Sequence, residues 1–131
     1  MQLLDHASIS VTDVNIARPF YDAIMQSLGA EKVYDRPGAL GYGIRCTSLE
    51  PFHSCLAIYE SIAANFDAKR HWCFKATTRD QVRDFHSAGL RNGGTDEGPP
   101  GLRPQYHEHY FGAFLIDPFG NRVEAVCHYP E

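Results

Sequence analysis

Seven histidines and four cysteines are the side chains of this 131-residue sequence with the most chemistry to offer. Imidazole titrates near neutral pH and, when neutral, is a good ligand for divalent metals. His6 and His71 each fall early in a run that alternates apolar and polar residues, on the polar side of the alternation. Residues lining a wet cavity are placed that way. His107 and His109 are two apart and could share a strand face, but Tyr106-His107-Glu108-His109-Tyr110 reads as loop, which makes chelation by that pair the weaker arrangement. Cys46, Cys55, Cys73 and Cys127 stand singly with no CxxC pair, which argues against a zinc knuckle and a disulfide framework. They read as small buried hydrophobes.

The elements that must position the histidines come in two copies. A shift of 65 residues lays His6 on His71, Thr12 on Thr77, Arg18 on Arg83, Phe20 on Phe85, Ala23 on Ala88 and Gly29 on Gly94. The chain therefore divides into halves near 1–65 and 66–131, joined around residues 63–69 and expected to pack as one domain. Each half opens on a strand. Along 4–11, Ala7, Ile9 and Val11 face one way and His6, Ser8 and Ser10 the other; along 71–77, Trp72, Phe74 and Ala76 oppose His71, Cys73, Lys75 and Thr77.

Each strand leads into a helix. In the first, Ile16, Phe20, Ile24 and Leu28 recur at four-residue steps and Gly29 is the stop signal. In the second, Thr78 and Gln81 form a capping box, Val82, Phe85 and Gly89 share a face, and Gly93-Gly94 ends it. Further strands are expected at 32–34, 40–46, 55–60, 110–117 and 122–128, with Asp117-Pro118-Phe119-Gly120-Asn121 as a hairpin turn. Residues 96–109, with Pro99-Pro100-Gly101 and Pro104, read as a long irregular segment, a candidate lid or cavity wall.

Composition narrows the partners. Hydrophobic residues make up 44% and charged residues 21%, with a mean hydropathy of −0.34, the profile of a soluble globular chain. A net charge of −4 gives no basic excess for nucleic acid or anionic membranes, and no apolar run approaches the roughly 18 residues of a span. The first residues lack a basic stretch and a long apolar segment, so a cytoplasmic location is expected.

Two strand–helix–strand–strand–strand units, a histidine early in each, and Phe114-Leu115-Ile116-Asp117-Pro118-Phe119-Gly120-Asn121-Arg122-Val123-Glu124 near the end resemble the vicinal oxygen chelate superfamily, which includes glyoxalases, extradiol dioxygenases and bleomycin-resistance proteins. The resemblance implies an α+β fold of two βαβββ modules whose mixed sheets curve around a cavity. It also implies His6, His71 and Glu124 as ligands of a divalent metal, with Fe, Mn, Ni, Co and Zn all compatible with such donors. Open positions on that ion would take the adjacent oxygens of a small molecule.

Some members carry a second carboxylate on the last strand of the first half. The 65-residue shift puts Tyr59 there, with Glu60 adjacent but out of phase, so these two are the candidates for a fourth position. Tyr106, His107, Tyr110 and Arg103 are candidate substrate contacts, the arginine for an anionic substrate. No catalytic acid or base is singled out. The function implied is a metal-dependent lyase, isomerase or dioxygenase acting on a small molecule with vicinal oxygens. The alternative is a metal-free protein that sequesters a small molecule, as bleomycin-resistance relatives do. In many relatives the site forms between chains, which implies a homodimer.

Overall fold

The structure, a computed structural model, describes residues 3–65 and 67–131. Met1, Gln2 and Phe66 lie outside them, so part of the opening segment and of the expected joint at 63–69 is not covered. The elements run β1 (His6–Val11), α1 (Val14–Ser27), β2 (Lys32–Arg36), β3 (Ala39–Gly43), β4 (Cys55–Glu60), β5 (His71–Lys75), α2 (Arg79–Arg91), β6 (Thr95–Leu102), β7 (Phe111–Ile116) and β8 (Arg122–Cys127). They form two four-stranded sheets of identical plan, β1-β4-β3-β2 and β5-β8-β7-β6. In each, the first strand pairs in parallel with the last, and the remaining pairs are antiparallel. These are two βαβββ modules in mixed sheets, as expected.

Local signals start both helices. Asp13 Oδ1 accepts from the Asn15 and Ile16 amides at 2.8 and 3.2 Å, and Thr78 Oγ1 accepts from the Gln81 amide at 3.1 Å. Gln81 Oε1 returns the favour one residue further out, accepting from the Thr77 amide at 2.8 Å. The buried face of α1 is Val14, Ala17, Phe20, Tyr21, Ile24 and Met25; of the expected stripe Phe20 and Ile24 are in the core and Leu28 packs against it, while Ile16 is 57% exposed. Steps of four residues drift by about 40° each around a 3.6-residue helix, so a stripe built only from them winds off the face.

A second correction concerns residues 96–109. Most of the first half of that segment is strand β6, pairing with β7 through register shifts at Asp96/Gly98 and Gly98/Gly101. Pro99 and Pro100 are tolerated because β6 is an outer strand and bulged. The irregular part shrinks to the β6–β7 connection, closed by the Arg103 amide donating to the Tyr110 carbonyl at 2.8 Å. The cysteines are all free, and Cys127 alone is buried as expected, Cys73 being exposed.

One hydrophobic cluster runs through both modules. At its centre α1 and α2 come close: a Cβ on Gly89 would lie 2.3 Å from Leu115 Cδ1 and 3.2 Å from both Ile24 and Phe20. Beside it, Asp117 in the β7–β8 turn accepts from Tyr21 Oη at 2.6 Å and from Asn121 Nδ2 at 2.8 Å, and Asn121 Nδ2 also donates to the Ser10 carbonyl at 3.1 Å. On the surface, Arg18 and Lys32 hold Asp35 at 2.9 and 2.6 Å, fastening α1 to β2.

Two outcomes follow from this packing. Gly89→Ala gains about 1 kcal/mol of helix propensity but meets side chains that are themselves fully packed, so denaturant titration should show a net loss of about 1–2 kcal/mol; unchanged stability would mean the helices do not meet there as described. Arg18 first and Lys32 second hold the Asp35 carboxyl down to about 2 from its ordinary 3.8. A depressed carboxyl stabilises the fold above its unfolded pKa and stops doing so as pH falls through its folded one. The melting temperature should therefore decline between about pH 4 and pH 2, less steeply in Asp35→Asn, by a modest amount because the pair is partly exposed.

Candidate metal and ligand site

Strand phase decides which side chains face away from the helices. On β8, Val123, Ala125 and Cys127 belong to the core, so Arg122, Glu124 and Val126 point to the open side. On β5 the open side holds His71, Cys73 and Lys75, and on β7 it holds Gly112, Phe114 and Ile116. Register then sets the neighbours. Cys73 and Phe114 flank Glu124 on its two sides, and His71 lies beside Arg122.

Glu124 is 2% exposed although nothing from a helix covers it. Its Oε2 lies 3.5 Å from His71 Nε2, and Tyr110 Oη donates to its Oε1. Gly112 leaves the space this needs: a Cβ there would stand 3.1 Å from Tyr110 Cε1 and 3.4 Å from Glu124 Oε1. Burial first, and the Glu124 carboxylate second, raise the Tyr110 phenol well above its ordinary range. The same two causes push the Cys73 thiol up to about 12, desolvated among its neighbours even though the residue retains solvent contact. Both keep their protons at neutral pH, and Tyr110 donates to Glu124.

A buried carboxylate is costly unless a cation or several donors compensate it. Two donor atoms each about 2.1 Å from one ion, near the tetrahedral angle, lie about 3.5 Å apart. The His71–Glu124 separation of 3.5 Å is thus that of two ligands of one metal, and the pair fits such an ion. His6 is placed elsewhere. It opens the first module, its Nδ1 2.6 Å from Asp5 Oδ1, in a hollow of about 250 Å3 shared with Tyr34, Arg45, Cys46, Cys55 and Tyr59. Among the described residues of one chain, no three His, Cys, Asp or Glu side chains gather where a metal could be held. A larger hollow, about 420 Å3, lies at the end of α1 beside Lys32 and Tyr42 and contains none of the expected site residues.

The register also relocates the fourth position. His6 pairs with Cys55 as His71 pairs with Arg122, so Glu124 corresponds to Ala57 in the first module. Tyr59 lies one step further along the same face, 42% exposed, and Glu60 turns to the helix side, where Oε2 accepts from the Val14 amide at 2.9 Å and caps α1. The 65-residue shift misses this because the second module is two residues longer by its last strand.

Of the substrate-contact candidates, Tyr110 reaches Glu124, Arg103 lies over Phe114 at 5.9 Å from the ring centroid, and Tyr106 packs on Tyr110 at 4.8 Å. His107 accepts from the His109 amide on Nδ1 at 3.1 Å and bonds His128 Nδ1 through Nε2 at 2.8 Å. His109 stays outside that pair. His86, with no partner legible in the sequence, meets Asp96 at 2.8 Å. Cys73 and Gly112 were missed by sequence reasoning; the i, i+2 spacing of Cys73 from His71 was the available signal.

No protein-family model matches the sequence, and no curated protein matches it. Solved structures do. A glyoxalase/bleomycin resistance protein from Albidiferax ferrireducens T118 superposes with a TM-score of 0.76 at 29% identity, covering 97% of this chain and 98% of the other. A glyoxalase/bleomycin resistance protein/dioxygenase family enzyme from Burkholderia phytofirmans PsJN gives 0.67 at 16% identity, over 95% and 98%. A putative glyoxalase from Bacillus halodurans gives 0.66 at 22% identity, over 95% of each chain. With two modules of one plan, and a His71–Glu124 pair on the open side of the second, the chain has the fold of these proteins, that of the vicinal oxygen chelate superfamily.

Proposed function

We propose that the protein is a metal-dependent enzyme acting on a small molecule with adjacent oxygen atoms, by lyase, isomerase or dioxygenase chemistry. The observation that carries this is the buried Glu124 carboxylate facing His71 Nε2 at 3.5 Å on the open side of the sheet. In this reading His71 and Glu124 are two ligands of a divalent ion, and His6 of a second copy is the third, so the working form is a homodimer. The ion, when bound, supplies Lewis acidity or oxygen activation to the substrate's oxygens.

The chain's own residues prepare the ligands. Tyr110 holds Oε1 of Glu124, which leaves Oε2 turned toward His71. Cys73 faces Glu124 from the adjacent strand as a neutral thiol. A carboxylate fixed at one oxygen loses little freedom on binding metal through the other. The alternative, a metal-free binding protein, is favoured by one observation: His6 faces a hollow walled by Tyr34 and Tyr59 and, within one chain, joins no ligand set.

Elemental analysis and calorimetric titration with Mn, Fe, Co, Ni and Zn on protein without a histidine tag separate the two. The enzyme reading expects about one ion per chain, with His71→Ala and Glu124→Ala each weakening binding by about tenfold or more; no binding by wild type sinks it. If the site spans two copies, His6→Ala also loses the ion, while a mixed dimer of His6→Ala and Glu124→Ala chains regains half of it. Tyr110→Phe, which frees Glu124 without removing a ligand, should weaken metal binding by about 10-fold with the melting temperature little changed. Wild-type affinity in that variant would show that Tyr110 does not position the carboxylate.

A further inference from the structure

Besides Glu124, the open side of the second sheet carries two arginines with no ion-pair partner among the described residues. Phe114 is 8% exposed although it points away from the helices. Its cover is charged: the Arg122 guanidinium carbon lies 4.6 Å and that of Arg103 5.9 Å from the ring centroid, and the His71 ring lies 6.5 Å away. Arginine stacked on an aromatic face keeps the N–H edge of its fork free for a planar or tetrahedral acceptor.

Both guanidiniums lack a counter-charge. The ion-paired arginines are Arg18, Arg79 and Arg83; among the described residues neither Arg103 nor Arg122 has a carboxylate partner. Nε of Arg122, like that of Arg79, is buried with no hydrogen-bond partner among the described residues. A buried donor in that condition costs free energy that a ligand can return. Arg103 is held in place by backbone alone, donating to the Pro99 carbonyl at 2.7 Å and the Leu102 carbonyl at 3.4 Å.

Strand β6 is shaped to let it lie there. A Cβ on Gly101 would stand 3.1 Å from Arg103 Nη1, and one on Gly98 3.4 Å from Nη2 and 3.0 Å from Phe114 Cδ2. Glycine at both positions clears the path of the guanidinium across the bulged edge. Two cations brought to one aromatic ring raise the local potential for an anion.

We propose that Arg103 and Arg122, laid on Phe114 beside His71, bind the oxyanion group of the substrate, so that the small molecule is an acid carrying a carboxylate or phosphoryl group near its reacting oxygens. As a substrate class this rests on the reading of the same face as the active site. As a binding site it needs no metal, and its test is run without one.

The test is NMR titration of the arginine Nε–H signals of the metal-free full chain with inorganic phosphate, and separately with sodium succinate, at constant ionic strength set by chloride. Saturable shifts of Arg122 and Arg103 are expected with at least one of the two, and the tighter one tells a phosphoryl from a carboxylate substrate. Arg122→Gln should weaken binding by about tenfold or more, and Arg122→Lys by less, since it keeps the charge and loses the fork. Gly101→Val, which pushes Arg103 aside, should weaken it as well and serves if Arg122→Gln folds poorly. The distant Arg91→Gln should leave it within about twofold. Linear shifts equal to those with chloride, or wild-type binding in Arg122→Gln and Gly101→Val, overturn the proposal. Saturable anion binding by a wild-type chain that takes up no metal would support this site while overturning the metal reading.

Discussion

The buried Asp117 carboxylate is the constraint on which the arrangement of the two halves depends. It accepts from the phenol of Tyr21, from the Asn121 side chain and from the amides of Phe119 and Asn121. Those four donors satisfy it, so its burial at 3% exposure is tolerable. They also join three elements: α1 through Tyr21, the β7–β8 turn through its own amides, and β1 through the bond from Asn121 to the Ser10 carbonyl. His6 lies at one end of β1 and Glu124 follows Asn121 on β8, so this one node sets how the half with His6 stands against the half with His71 and Glu124.

Glu124 is the contrasting case. It is as buried as Asp117, yet its hydrogen-bond donor is the Tyr110 phenol and its other oxygen turns to a histidine rather than to a ring of backbone amides. A carboxylate placed for structure is saturated by rigid donors, as Asp117 is. One that keeps an oxygen turned to an imidazole across an open sheet face has capacity left for a ligand. The same distinction separates the arginines. Arg79 and Arg83 stack on Phe111 on the helix side and share Glu131, whereas Arg103 and Arg122, stacked on Phe114, make no ion pair among the described residues.

The fold was legible in the sequence because alternation and duplication are local signals. His6, Ser8 and Ser10 against Ala7, Ile9 and Val11 needs only the period of a strand, and the helix caps need only three residues each. The approach of His71 to Glu124 was legible only through family resemblance, since the two are joined by a parallel pairing across the whole second module. Two other features were out of reach for stated reasons. The correspondence of Glu124 to Ala57 was hidden by two extra residues in the second module, which a fixed shift cannot see. Strand β6 was hidden by Pro99 and Pro100, whose cost depends on whether the strand lies at an edge.

The duplication shows how one face came to hold the chemistry. In the first module, Gly41 takes the register position that Phe114 takes in the second, and the ring of Tyr34 fills the space, its Cε1 2.2 Å from where a Cβ on Gly41 would be. Arg36 lies over Tyr34 at 4.8 Å, so an aromatic ring under a guanidinium recurs in both halves. What does not recur is the acid. Ala57 stands where Glu124 stands, and Ser8 where Cys73 does, so in the first module the carboxylate that meets the histidine is its chain neighbour Asp5, at 2.6 Å from His6 Nδ1, and not one on the sheet face. In the proposed site, therefore, the second module supplies the buried carboxylate and the first lends His6.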